Sequence, residues 1–301
     1  HRKTGVKYGI DYIDPWVHVF PGSDKLFSRH WFSTRLARWL EPKAVKHAAL
    51  ITGVAEGYYQ GVQQRNPHLL DSCVFGAMPY GGEATDHTAV TQLGLKPYLF
   101  HKNDKLQFVY AGAMLPKAYA PLEAIFKAIA NNRGAFSEVE FHFIGTGKSP
   151  NDPEGYNIRP LAEKYGLWQQ IVYEYPKRIP YLDVLIHLSI ADAVFILGST
   201  EPHYTPSKTY QAVLSKKPVV ALLHSESTAV EILRSTGAGI VFDFDGEVAL
   251  SRIENQFASF FLQSLAFVQQ YRPEEVQMDK FESFSAMAVT GTLAALLDES
   301  V

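Results

Sequence analysis

The sequence is poor in the features that mark several simple functional classes. It holds one cysteine, Cys73, in 301 residues. That excludes an internal disulfide and any cysteine-based metal site, and it fits a reducing, cytoplasmic compartment. No run approaches the ~20 consecutive apolar residues that span a bilayer. The 28 basic and 31 acidic side chains leave a net charge of −3, without the basic excess of a dedicated nucleic-acid binder. The eleven histidines include no HExxH and no tight His/Asp cluster, so no metal site is expected. No internal repeat and no low-complexity tract occurs. The first residues, HRKTGVKYGIDYIDPWV, lack the apolar region of a signal peptide. They read as a strand already in progress, which implies sequence upstream.

What is present is the composition of an ordinary globular chain, 47% hydrophobic and 20% charged. Short apolar runs alternate with helical periods. The expected strands are Lys7–Ile13, Ala48–Val54, Leu106–Ala111, Val139–Ile144, Gln170–Glu174, Ala193–Leu197, Pro218–Leu223 and Gly239–Phe242. Helical periods lie at Pro121–Asn131, Ile158–Tyr165, Tyr181–Ser189 and Thr228–Ser235. Such alternation predicts α/β architecture, a parallel sheet with helices on both faces. MPYGGEATDH and LKPYLFHKND interrupt the pattern, and a linker is expected near Lys96. Residues 97–301 then hold six strands, enough for a complete doubly wound domain, whereas residues 1–96 hold too few to close a sheet. The tail 281–299 reads as one helix.

FIGTGKS at Phe143–Ser149 has the surface look of a P-loop. The glycine required five residues before Gly-Lys-Ser is replaced by His142, and Pro150 and Pro153 interrupt the helix that should come next. The glycines instead suit a tight turn at the carboxyl edge of the sheet, where ligands of such sheets bind.

The most informative segment is AVFILGSTEPHYTPSKTYQAVLSKKPVVALL, Ala193–Leu223. A buried strand leads through a polar loop into a helix opened by Thr205-Pro206-Ser207-Lys208. Thr205 is expected to cap, and Pro206 suits the first turn. The amides of Ser207 and Lys208, with the Lys208 charge, would then suit a diphosphate, and Gln211 lies one turn further along the same face. A well-capped core helix with no ligand reads equally well from these residues alone.

This segment resembles the donor-site motif of GT-B glycosyltransferases, in particular the retaining nucleotide-sugar group (group 1, family 4-like). Other blocks agree in order. YAGAMLPKAY resembles the first strand and glycine loop of the donor domain, and FHFIGTG its second strand. IVYEYPKRIPYLDVLIHLSIADAVF resembles the nucleobase-side loop with the helix and strand that lead to the motif. RWLEPKAVKHAALITGVAEGYYQGV with FGAMPYGG resembles the second half of the acceptor domain, and FSAMAVTGTLAALLDE the helix that crosses back to it. The resemblance implies two Rossmann-like domains, the N-terminal one incomplete here: 1–96 as the C-terminal half of the acceptor-side domain, 97–301 as the donor domain.

It also implies transfer of a sugar from a nucleotide-diphosphate donor to an acceptor hydroxyl on a glycan or lipid-linked molecule, as in polysaccharide synthesis, with no cofactor and no metal. Gly112, Lys117, Ser207 and Lys208 would hold the diphosphate, Gln211 the ribose, and Arg178 and Ile179 the base. Glu201 or His203 would meet the transferred sugar, and Asp14 the acceptor. Gln211 and His203 stand where the family usually has two glutamates eight residues apart. Ala113 replaces a common arginine, and Ile13-Asp14 a common His-Asp. A nucleotide-sugar epimerase of the same fold, a non-catalytic nucleotide-sugar binder and an exported sugar receptor are the alternatives.

FSRHWFSTRLARWLEPKAVKH sets Arg29, Arg35, Arg38, Lys43 and Lys46 against one acid, with Trp31, Phe32 and Trp39 interleaved. A basic aromatic helix can lie on an anionic membrane surface, giving peripheral contact at the inner face of the membrane. The resemblance implies instead that it packs on the acceptor domain with its aromatics in the core.

Overall fold

A computed structural model describes residues 3–17 and 23–300. The chain forms two compact units, one of His1–Gly81 with Phe284–Val301 and one of Gly82–Ser283.

The first unit runs β1 (Gly9–Tyr12), α1 (Arg29–Val45), β2 (Leu50–Gly53), α2 (Glu56–Arg65) and β3 (Val74–Ala77). Its strands are parallel in the order β1-β2-β3, with Ile10 opposite Ile51 and Ile51 opposite Phe75. Ile51, Val45, Tyr58, Val62 and Leu69 form the core on one side of β2. Glu41 of α1 is fully buried, and Arg65 neutralises it with two parallel bonds, Nε to Oε1 at 2.7 Å and Nη2 to Oε2 at 2.8 Å. β3 is not among the expected strands: VFGA is short and carries a glycine, which weakens strand propensity. α1 buries Thr34, Ala37, Glu41 and Val45, so the expected core aromatics are displaced: Phe32 and Trp39 are exposed.

The second unit runs α3 (Ala84–Gln92), β4 (Leu106–Ala111), α4 (Tyr119–Asn131), β5 (Val139–Ile144), α5 (Arg159–Lys164), β6 (Val172–Tyr175), α6 (Tyr181–Ile190), β7 (Ala193–Leu197), α7 (Lys208–Leu214), β8 (Val219–His224), α8 (Thr228–Thr236), β9 (Gly239–Phe244), α9 (Leu250–Gln270) and α10 (Met278–Phe281). Six parallel strands stand in the order β6-β5-β4-β7-β8-β9. That is the doubly wound order, reversing direction between β4 and β7. Every residue of β5, β7 and β8 is buried, as a sheet covered on both faces requires. Much of the core is aromatic. Phe261 of α9 stacks on Phe136 at 4.5 Å and reaches Phe108 and Phe141, with Phe257 one turn earlier.

α3 grows out of the turn-rich stretch because the Glu83 carboxylate caps it, accepting from the Thr85 amide at 2.9 Å. The division at Gly81–Gly82 therefore falls ahead of the linker expected near Lys96. After α3 the chain is pinned rather than loose: the amides of Tyr98 and Leu99 both lie 3.1 Å from His187 Nε2 of α6. The helix expected over 281–299 starts later, at Ala286, after a 3-10 turn at Glu282–Phe284. α10 ends at Phe281, and α11 (Ala286–Glu299) restarts behind Ser285, whose extended backbone and Oγ, accepting from the Ala288 amide at 3.1 Å, form a fresh cap. α11 packs on β3 within the first unit.

Candidate functional site

In a sheet of this order the ligand crevice lies beyond the carboxyl ends of the strands at the point of reversal, here β4 and β7. β4 leaves the sheet at Gly112, whose φ is +138°, a conformation that L side chains rarely adopt. Its amide donates to the Ile144 carbonyl at 2.8 Å. A Cβ there would sit 3.1 Å from Lys208 Nζ, so the missing side chain is what admits the lysine.

Lys208, the first residue of α7, reaches back across the crevice to β4. Its Nζ donates to Tyr110 Oη at 2.6 Å and lies 3.9 Å from the centre of the same ring. Burial disfavours the ammonium and lowers its pKa from the ordinary 10.5 to about 7. The Tyr110 hydroxyl is pushed up, again by burial.

Lys117 stands on the turn Pro116–Ala118 after β4, and its Nζ lies 3.4 Å from Glu201 Oε1 in the loop after β7. The same two loops are joined through the backbone, Thr200 N–H donating to the Lys117 carbonyl at 3.2 Å. Ser199, buried, accepts from the Glu201 amide at 3.2 Å. His203 is half-buried further along this loop. Thr205 does not cap α7. Its hydroxyl bonds that of Thr228 at 2.7 Å, and exposed Ser207 takes the N-cap position without a side-chain bond.

Gln211 is engaged by a partner that sequence reasoning missed. Its Oε1 lies 3.0 Å from Nε2 of His87 on α3. Burial holds the His87 imidazole below its usual pKa, partly offset by that bond. The neighbouring Asp86 accepts from the Tyr181 hydroxyl at 2.8 Å.

On the β5–β6 side, Gly147 fits against the Pro176 carbonyl, 2.7 Å from where a Cβ would stand. Exposed Arg178 donates its amide to the Pro150 carbonyl at 3.0 Å, beside half-buried Ile179. The loop from Thr146 to Arg159 is latched by Glu174, a second residue the sequence reading passed over. This buried carboxylate accepts from the amides of Asn157, Ile158 and Arg159 at 2.8–3.0 Å and from the Thr146 hydroxyl at 2.5 Å. Asp14 belongs to the first unit, exposed just past β1; burial raises the Tyr80 hydroxyl pKa, with Asp14 and Asp11 adding to it.

Gly112 and Lys208 meet at the carboxyl end of β4, and Lys117 and Glu201 pair between the loops that follow β4 and β7, with Arg178 and Ile179 beyond β6 and Gln211 turned to His87. The arrangement sets two lysines, Lys117 ion-paired and Lys208 buried with a pKa of about 7, around a glycine-opened strand end. Tyr110 could have been suspected as the last large side chain before the glycine. No local signal marks His87, since its bond to Gln211 spans 124 positions. Among the described residues no group of three or more His, Cys, Asp or Glu could hold a metal ion. Asp243 and Asp245, an Asp-x-Asp that sequence reasoning passed over, are each engaged, Asp243 by Arg234 at 2.9 Å and Asp245 by the Ser225 hydroxyl.

No protein-family model and no curated protein matches the chain. Solved structures do. A UDP-forming α,α-trehalose-phosphate synthase from Burkholderia xenovorans superposes with a TM-score of 0.68 at 14% identity, over 100% of this chain and 70% of that one. Such a synthase from the same organism, in complex with glucose-6-phosphate, gives 0.63 at 12% identity, over 98% and 69%. Anabaena HepE in complex with UDP-glucose gives 0.59 at 15% identity, over 97% and 72%. The chain has the GT-B fold. The point of reversal between β4 and β7 is the switch point of the six-stranded unit. Among the described residues no helix is long and apolar enough to cross a membrane.

Proposed function

We propose that the chain is a glycosyltransferase that moves a sugar from a nucleoside-diphosphate donor to an acceptor hydroxyl. The observation that carries this is the placement of Lys117 and Lys208 around the glycine-opened switch point of the six-stranded unit. In the transfer, the bond between the anomeric carbon and the phosphate oxygen breaks and its electron pair leaves with the diphosphate. The acceptor oxygen takes the anomeric carbon, and its proton goes to the released nucleotide or to water. Charge therefore develops on the diphosphate, and fixed cations facing it lower the barrier. Lys208 and Lys117 fill that role, with the amides of Ser207 and Lys208 beside them. Glu201, held by Lys117, and His203 would meet the sugar, Arg178 and Ile179 the base, and Asp14 the acceptor.

The relatives solved with UDP-glucose and glucose-6-phosphate make these the first donor and acceptor to try. Binding without turnover is the second reading, favoured by one observation: His87 occupies the Gln211 carboxamide. A thermal-shift screen of nucleoside diphosphates tests the binding step. A ligand at ~100 times its dissociation constant adds roughly 2.7 kcal/mol of stability. No shift with any nucleoside diphosphate overturns the proposal, and a shift without product in a mass-spectrometric transfer assay selects the second reading.

A further inference from the structure

Helix α1 has two opposite faces, and among the described residues only one is buried. Thr34, Ala37, Glu41 and Val45 recur at helical spacing and are buried. Phe32, Leu36 and Trp39 recur at the same spacing on the opposite side, about 180° around the axis at 3.6 residues per turn. They point away from the unit. Leu26 and Phe27 extend the stripe just before the helix, and the five side chains range from 53% exposed at Phe32 to 72% at Phe27. Large apolar groups gathered this way, rather than scattered singly, mark an interaction surface.

The exposed charges of α1 itself are of one sign, and exposed Asp24 stands ahead of the helix beside Lys25. Arg29, Arg35, Arg38, Lys43 and Lys46 are exposed, and the one acid of the helix, Glu41, is buried against Arg65. Lys43 Nζ lies 3.2 Å from the centre of a Trp39 ring, and Arg35 Cζ 4.3 Å from that of Trp31. Cations and aromatics are thus interleaved along one edge.

We infer that this face of α1 docks in the plane of an anionic lipid surface, with Phe32, Leu36 and Trp39 entering the headgroup boundary and the cations meeting the lipid phosphates. An apolar stripe flanked by arginine and lysine is the pattern of interfacial helices. A second copy of this chain is a poorer occupant, because a two-fold contact would set this cationic face against itself. The inference is independent of the transfer chemistry, since it concerns the first unit alone.

Flotation of the full chain with two kinds of vesicle tests it: phosphatidylcholine alone, and phosphatidylcholine with an equal part of phosphatidylserine. The chain should float with the anionic vesicles, not with the neutral ones, and salt should weaken the association. Replacing Arg35, Arg38 and Lys43 by Glu should lower partitioning at least on the order of 100-fold, since each cation near such a surface contributes roughly fivefold. Phe32→Ser with Leu36→Ser and Trp39→Ser should abolish it. Both variants alter outward-facing side chains, so circular dichroism and melting should match the parent, and either alone suffices if the other fails to fold. Failure to float with anionic vesicles at low salt, or equal flotation of parent and both variants, overturns the inference. So does a parent dimer in analytical ultracentrifugation that the apolar variant converts to monomer, because a second copy would then cover the face.

Discussion

The ammonium of Lys208 rests on Tyr110, 2.6 Å from its hydroxyl and 3.9 Å from the centre of its ring. The first residue of α7 and a residue of the central strand β4 are thereby joined beside Gly112. Burial makes the charge of this lysine depend on pH near neutrality, with a pKa of about 7.

A diphosphate stabilises the ammonium, so binding takes up a proton once the pH exceeds about 7. Affinity for UDP should fall as pH rises through that value, and calorimetry in buffers of different ionisation heat should detect the proton uptake. Lys208→Met should remove both effects. Stability should move the opposite way. The unfolded lysine keeps its proton to the ordinary 10.5, so between about 7 and 10.5 the unfolded chain holds more protons. This residue's contribution to stability then rises with pH across that window. The melting-temperature difference between parent and Lys208→Met should grow in the parent's favour from neutral to alkaline pH.

Gly112→Ala tests the strand end. The new Cβ would face only the flexible tip of Lys208, so the steric part is small. The φ of +138° is the larger cost, of about 1–3 kcal/mol. Urea unfolding should show that loss, and UDP should bind more weakly because Lys208 is displaced. Unchanged stability would mean that this strand end does not hold the strained conformation.

These features differ in how far the sequence revealed them. β4, β5 and β7 match the expected ranges residue for residue, because buried parallel strands write continuous apolar runs. Lys208 was read from its place at a helix start and Gly112 and Lys117 from the resemblance; the structure sets Gly112 beside Lys208 Nζ. α9 was overlooked although Ile253, Phe257, Phe260, Phe261 and Ser264 mark one buried face, because polar residues between them mask the stripe. Partners such as His87 for Gln211, Tyr110 for Lys208 and Arg65 for Glu41 are set by packing between elements, which no local period encodes. Thr205 misled for a related reason: it has the right chemistry for a cap, but Thr228 lies within reach.

Gln211→Glu should restore a charged acceptor one turn into α7. A carboxylate at hydrogen-bonding distance favours the imidazolium, so the His87 pKa should rise from its lowered position. Nuclear magnetic resonance titration of His87 reads this directly. Uridine should bind more tightly than to the parent, since a carboxylate can accept from both ribose hydroxyls. A His87 titration that does not move would show that the two side chains are apart in solution.

Glu174→Ala should release the loop between β5 and α5. Three amides, that of Ile158 buried and those of Asn157 and Arg159 part-buried, lose a charged acceptor, and hydrogen bonds of that kind contribute roughly 1.5–3 kcal/mol each before relaxation and water entry. A net loss of at least about 2 kcal/mol is expected in urea unfolding. Limited proteolysis should cut between 147 and 157 in the variant well before the parent. Equal protection would mean that other contacts hold the loop.

Removing metal should leave donor binding intact. A divalent ion bridging two phosphates takes one or two protein carboxylates as anchors. The only carboxylate from Ser199 to Lys208 is Glu201, and it faces Lys117 at 3.4 Å. The aspartates of the Asp-x-Asp at the end of β9 are engaged by Arg234 and Ser225. In the proposed site, lysine charge would do what a metal otherwise does, neutralising the diphosphate. The dissociation constant for UDP should therefore be the same with and without EDTA in metal-stripped protein. It should weaken with added salt, because partly exposed lysine–phosphate attraction is screened over a Debye length of about 8–10 Å at ordinary ionic strength. Affinity that collapses on chelation and returns with magnesium or manganese would place the donor away from Lys117 and Lys208.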